Sequence, residues 1–201
     1  MSHYFDQSPE SEHRYRDFVA EFEGVNFRFR TDSSVFSKQA IDYGTKLLIE
    51  TVLFLEPIDI RGRFLDLGCG YGAVAVVFRK LRPRLVVLAS DVNRRALELA
   101  RSNLESNGLS DVIIIESDGL EKIAGSFDII LHNPPIRAGK KTVYRLLRES
   151  YESLSPGGRL YIVNRKKQGA ASTVSELASY CDQVEVIKKK SGFWIIRCAK
   201  L

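Results

Sequence analysis

From residue 63 onward, short apolar runs alternate with helix-like segments, and this alternation constrains the fold more than any other feature. Residues 64–67, 85–89, 112–115, 127–131 and 159–163 read as strands. Between and after them, 73–81, the segment from Asn93 through Asn107, 141–154 and 172–180 read as helices, with Asn93 placed as an N-cap. Near-continuous apolar strands separated by helices belong to a mainly parallel sheet covered on both faces. Residues 184–187 and 193–197 close the chain as two strands joined by the tight turn Lys190-Ser191-Gly192, so this last pair is antiparallel. Upstream, 25–30 alternates as a half-buried strand, and 41–55 has helical spacing that Pro57 ends. The first 24 residues are polar and acidic, with Ser8-Pro9-Glu10-Ser11 as loop. We expect one α/β domain: a seven-stranded, mostly parallel sheet in 57–201, its last strand antiparallel, and a strand and helix extension in 1–56.

At 201 residues and 44% hydrophobic, the chain can bury a sizeable core, and this composition excludes disorder. No run approaches the roughly 20 apolar residues of a membrane helix, and the N-terminus lacks a signal-peptide layout. We therefore expect no membrane partner. Cys69, Cys181 and Cys198 are odd in number and lack metal-ligand spacing, which favours reduced thiols, a cytoplasmic location and no metal. The net charge of +5 is unevenly spread. Residues 1–136 hold 16 Lys and Arg against 20 Asp and Glu, whereas 137–201 hold 14 against 5. That basic third is either a nucleic-acid footprint or a solvated face.

In such sheets the ligand site lies at the carboxyl ends of the strands. The first strand–helix turn here is Asp66-Leu-Gly68-Cys-Gly70-Tyr-Gly72, where glycines allow close backbone approach to a ligand. Gly68, Gly70 and Ala73 also satisfy the dinucleotide fingerprint. Asp66, however, disfavours a pyrophosphate and suits a ligand amino group. Asp91 follows the second strand, where a carboxylate can take ribose hydroxyls, and Asp118-Gly119 follows the third, where one can receive an adenine amine. Acidic residues after three consecutive strands, beside a glycine turn, resemble the class I S-adenosylmethionine-dependent methyltransferases and imply their Rossmann-like fold. The resemblance implies S-adenosylmethionine as cofactor. It places Asp66, Gly68 and Gly70 at the methionine end, Asp91 at the ribose, and Asp118 with Gly119 at the adenine.

The fourth strand ends in His132-Asn133-Pro134-Pro135-Ile136. An Asn at a strand end, stiffened by two prolines, offers two rigid acceptors: its side-chain oxygen and the Pro134 carbonyl. A planar amine is a poor nucleophile because its lone pair is delocalised. Two acceptors on its N–H groups aim that lone pair at a methyl carbon, by positioning and electrostatics rather than by a strong base. Asn133, Pro134 and Pro135 are thus the expected catalytic turn. Members of the family that act on planar amines often carry an aromatic residue after the prolines, and Ile136 stands there instead. Either stacking comes from another residue, such as Arg137, Tyr43, Phe36 or Tyr4-Phe5, or the target is held mainly by hydrogen bonds. His132 reads as a packing residue and Cys69 as filler.

Residues 36–50 and the runs 133–140 and 166–170 are similar to the small-domain methyltransferases related to ribosomal small-subunit RNA guanine-N2 methyltransferases. In that group an N-terminal hairpin and helix cover the cofactor, which implies that Lys38 and Thr45 lie near its methionine end. The implied function is methylation of guanine N2 in 16S ribosomal RNA, with ribosomal RNA or the small subunit as partner and a monomer or homodimer as the assembly. Ile136, Arg137, Lys140, Lys141, Arg165, Lys166 and Lys167 then form the RNA-facing rim. A glutamine or small-molecule methyltransferase is the alternative enzyme, and an RNA-binding or ribosome-assembly module the alternative without catalysis.

Overall fold

The computed structural model describes residues 15–32 and 40–201. It begins with an antiparallel hairpin of β1 (Tyr15–Phe22) and β2 (Val25–Asp32). Helix α1 (Tyr43–Leu55) follows, its first turn capped by the Asp42 carboxylate, which accepts from the Gly44 and Thr45 amides. Then come β3 (Gly62–Leu67), α2 (Ala73–Leu81), β4 (Leu85–Asp91), α3 (Arg94–Ser106) and β5 (Ile113–Glu116). The chain returns through β6 (Phe127–His132), α4 (Lys140–Glu152), β7 (Leu154–Arg165), α5 (Ala170–Leu177), β8 (Gln183–Lys190) and β9 (Phe193–Ala199).

The seven-stranded sheet has the order β5-β4-β3-β6-β7-β9-β8. Pairing is parallel from β5 through β7, whereas β9 is antiparallel to both of its neighbours. The order reverses between β3 and β6, which opens a crevice at their carboxyl ends. Alternate strand residues define the two faces. Phe64, Ile129, Leu131, Tyr161 and Ile195 pack with residues of α1, α2 and α3; Leu65, Ile130, Leu160, Ile162 and Ile196 pack with residues of α4 and α5.

Two asparagines of α3 dock the hairpin. The Arg30 amide donates to Asn103 Oδ1 at 2.7 Å, and Asn103 Nδ2 donates to the Arg30 and Tyr71 carbonyls. One turn on, Asn107 bonds both backbone groups of Arg28. A buried Asp32–Arg95 ion pair, at 2.6 Å, closes the seam.

Three expectations change. Residues 15–22 form a strand although their outward face is charged, because β2 supplies the backbone partners. Leu154 opens β7 instead of ending a helix, and the register shift between Phe127 and Ile129 accommodates Ser155-Pro-Gly-Gly158. Cys181 and Cys198, expected as reduced thiols, are joined in a disulfide with Cα atoms 6.2 Å apart. The hairpin register explains it, since Val184 pairs with Cys198 and so brings the residues just before β8 alongside the end of β9. Cys69 is the free cysteine, and burial pushes its thiol well up.

Candidate active site

The glycine loop after β3 takes its shape from left-handed backbone: φ is 70° at Gly68, 55° at Gly70 and 84° at Gly72. Gly72 is also constrained sterically, because a Cβ there would lie 3.0 Å from that of Ala100 on α3. Asp91, at the end of β4, pins the loop: its carboxylate accepts from the Gly70 amide at 2.8 Å and from the Asn93 amide at 2.9 Å.

Asp66 lies beneath the same loop, only 3% exposed, and accepts from the Ala75 amide of α2 at 3.0 Å. Burial, reinforced by the negative charge of nearby Asp91, pushes its carboxyl up to about 7, against the pull of the Ala75 hydrogen bond. Burial raises Asp91 as well. The pocket floor therefore carries two carboxylates whose ionisation a cation would favour.

Asp118 stands apart from this pair. It is more than half exposed and ion-paired with Arg145 of α4 at 2.6 Å, while Arg145 also holds Glu149. Gly119, at φ 57°, packs so tightly that a Cβ would meet Glu149 and Leu146. Sequence reasoning names Asp118 and misses Arg145, because that partner lies 27 residues away on another element.

At the end of β6, Asn133 Nδ2 donates to Thr45 Oγ1 on α1 at 2.8 Å. With the amino group engaged, the amide is held in one orientation and its Oδ1 is left as an acceptor. The two prolines make a tight turn: the Ile136 amide donates to the Pro134 carbonyl at 2.9 Å, and Pro135 sits at φ −74°, ψ 79°. These are the dihedrals of an inverse γ-turn, which uses one lone pair of the Pro134 oxygen and leaves the second. The side chain of His132 points to the other face, buried, with Nδ1 2.8 Å from the Leu67 carbonyl. Since a carbonyl only accepts, Nδ1 carries the proton. Burial lowers the imidazole to about 4, so it is neutral at physiological pH.

Ile136 and Lys140 line a cavity of about 180 Å³, whose floor includes Asn164 and Thr173. Asn164 Nδ2 donates to Thr173 Oγ1, and the buried Oδ1 has no partner among the described residues. Lys140 and Lys141 at the start of α4 and Arg165, Lys166 and Lys167 after β7 are all exposed, at the same carboxyl edge as Asn133. Arg137 lies on the 3-10 turn 136–138. Lys38 and Phe36, with Tyr4 and Phe5, fall outside the described residues.

The switch-point crevice, glycine loop and Asn-Pro-Pro turn define an α/β group-transfer enzyme, and comparison with known proteins narrows the class. Residues 26–197 match the family model "Methyltransferase small domain", and the chain belongs to that family. S-adenosylmethionine is accordingly its methyl donor, and the fold is the Rossmann-like one of these enzymes. A Bacillus subtilis protein described as uncharacterized, YbxB, is 39% identical over 99% of this chain and 98% of its own length. Ribosomal RNA small subunit methyltransferase C of Serratia proteamaculans is 34% identical over 77% of this chain, an alignment that covers 44% of that enzyme. The chain thus spans about half the length, or less, of the ribosomal RNA methyltransferases it matches. Among solved structures, the Thermus thermophilus 16S rRNA N2 G1207 methyltransferase, in complex with AdoMet and guanosine, superposes with a TM-score of 0.85 at 23% identity. That match covers 96% of this chain and 52% of the other.

Proposed function

We propose that this chain methylates an exocyclic base amine of ribosomal RNA, guanine N2 of the small-subunit RNA being the best-supported target, and that it works in the cytoplasm. The observation that carries the reading is Asn133, whose amide Thr45 orients beside the proline turn at the switch point.

The donor fits the residues present. Asp66 and Asp91 are buried carboxylates with no ion pair among the described residues, and a ligand bearing a sulfonium and an ammonium supplies positive charge. Asp66, Gly68 and Gly70 would hold its methionine end, with Thr45 nearby, Asp91 its ribose, and Asp118 with Gly119 its adenine. When bound, the donor supplies an electrophilic methyl group. The work of the chain is then to position the acceptor: Asn133 Oδ1 and the second lone pair of Pro134 O each accept one N–H of the target amine. The amine becomes acidic only after transfer, so neutral His132 is not required as a base. Ile136, Arg137, Lys140, Lys141, Arg165, Lys166 and Lys167 form an RNA-facing rim whose affinity falls as salt rises.

The test is mass-spectrometric mapping of ribosomal RNA from cells with and without the protein, together with Asn133→Ala. The variant should lose methyl transfer while isothermal titration still detects S-adenosylmethionine. Full turnover by the variant, or an unchanged RNA modification map, overturns the reading.

A further inference from the structure

The rim contains one feature that charge alone does not explain. Arg165 ends β7 directly opposite Phe193, the first residue of β9, and its guanidinium carbon lies 4.7 Å from the centre of that ring. Phe193 also meets Tyr43, with ring centroids 5.5 Å apart, and the Tyr43 hydroxyl donates to Ser191 Oγ in the β8–β9 turn. Space for the ring comes from Gly44, where a Cβ would stand 2.8 Å from Phe193 Cε1. The next residue is Thr45, which holds Asn133. Tyr43, Gly44 and Thr45 thus link this cluster to the catalytic turn within one turn of α1.

Tyr43 is 42% exposed, and Arg165 is exposed although one face of its guanidinium rests on Phe193. A flexible cation reaching for phosphate gains nothing from such backing. An exposed guanidinium backed by a ring on one side keeps a planar face for a ligand, and unpaired RNA bases stack on such planes. Ile136 offers no aromatic face after the prolines, and among the described residues Arg165 with its ring backing supplies a plane at this edge of the site.

We propose that Arg165, backed by Phe193 and flanked by Tyr43, is a stacking shelf for an unpaired RNA base at the mouth of the site. This rests on the RNA reading above but not on catalysis, so binding tests it. The probe is a short single-stranded uridine RNA carrying one 2-aminopurine, whose fluorescence is quenched by stacking, titrated at several salt concentrations.

Arg165→Lys keeps the charge and removes the plane. It should weaken binding on the order of tenfold and relieve the quench, while the dependence of affinity on salt stays unchanged. Phe193→Leu should do the same, with S-adenosylmethionine binding as the check that this variant is folded. Lys167→Gln should instead lower the salt slope by about one and leave the quench intact. If Arg165→Lys binds and quenches like the parent while Arg165→Gln lowers the salt slope, Arg165 is a phosphate contact and the shelf is overturned. Absence of any RNA binding by the parent protein overturns the RNA reading and the shelf together, a result distinct from the first.

Discussion

A side-chain amide offers a donor end and an acceptor end, and only one of them suits a target amine. The Thr45 hydroxyl accepts from Asn133 Nδ2, an arrangement that leaves Oδ1 as the end able to accept from a target amine. Thr45→Val removes that hydroxyl at nearly constant volume. The lost hydrogen bond is worth about 1 kcal/mol, so turnover should drop roughly fivefold. Thr45→Ser should restore it, whereas a merely steric role for Thr45 would leave the valine variant active and Ser without benefit. Single-turnover kinetics at saturating S-adenosylmethionine provide the measurement. The rigid turn beside Asn133 is legible from its neighbours in sequence, because two prolines after a strand stiffen whatever precedes them. The partner of Asn133 is not legible, as Thr45 lies 88 residues earlier and is brought there only by the packing of α1 on the sheet.

Among the elements, those with strong local signals match the sequence reading closely. Helix α2 occupies 73–81 as expected, and Asn93 caps α3 by accepting from the Arg95 and Ala96 amides. Each such signal is complete within a few residues. Strand β1 is different: Arg16, Asp17 and Glu21 hide its period, and only its pairing with β2 makes it a strand. What holds the hairpin to the body is a pair of helix asparagines four residues apart, a pattern that on its own reads as ordinary helix surface. Asn103 spends all its bonds at this seam, accepting one and donating two, one of them to Tyr71 of the glycine loop. Asn103→Ala leaves the Arg30 amide and the Tyr71 carbonyl without that partner. We expect a loss of about 2 kcal/mol, or roughly 4–8 °C in Tm, by thermal unfolding. A second readout, weaker S-adenosylmethionine binding, should accompany it, because the loop and the hairpin share this one side chain. Asn107→Ala, which touches Arg28 rather than the loop, should destabilise the chain without that loss of affinity.

For the molecule as a whole, two of the buried titratable groups near the crevice, Asp66 and His132, act on stability in opposite directions. Asp66 is raised from 3.8 to about 7 by burial. Within that window the native chain holds a proton that the unfolded chain has released, so the stability this group contributes fades as pH rises towards 7. His132 is lowered from 6.5 to about 4, also by burial. Between those values the unfolded chain takes up a proton that the native chain refuses, so its contribution is lost as pH falls. Where the windows overlap, one proton on each side cancels, and the pair leaves stability nearly flat with pH. Asp66→Asn keeps an acceptor for the Ala75 amide and removes the titration. Chemical denaturation from pH 4 to pH 7 should show the variant gaining on the parent by on the order of 1 kcal/mol per pH unit. A gap that does not change with pH would mean that Asp66 ionises normally in the folded protein. The same titration links the fold to its ligand. A cationic donor favours the ionised carboxylate, so binding S-adenosylmethionine below pH 7 should release more proton from the parent than from Asp66→Asn. Calorimetry in buffers of different ionisation enthalpy reads that proton directly. Such a proton release would tie the Asp66 titration to the donor, with binding offsetting the stability that ionised Asp66 costs around neutral pH.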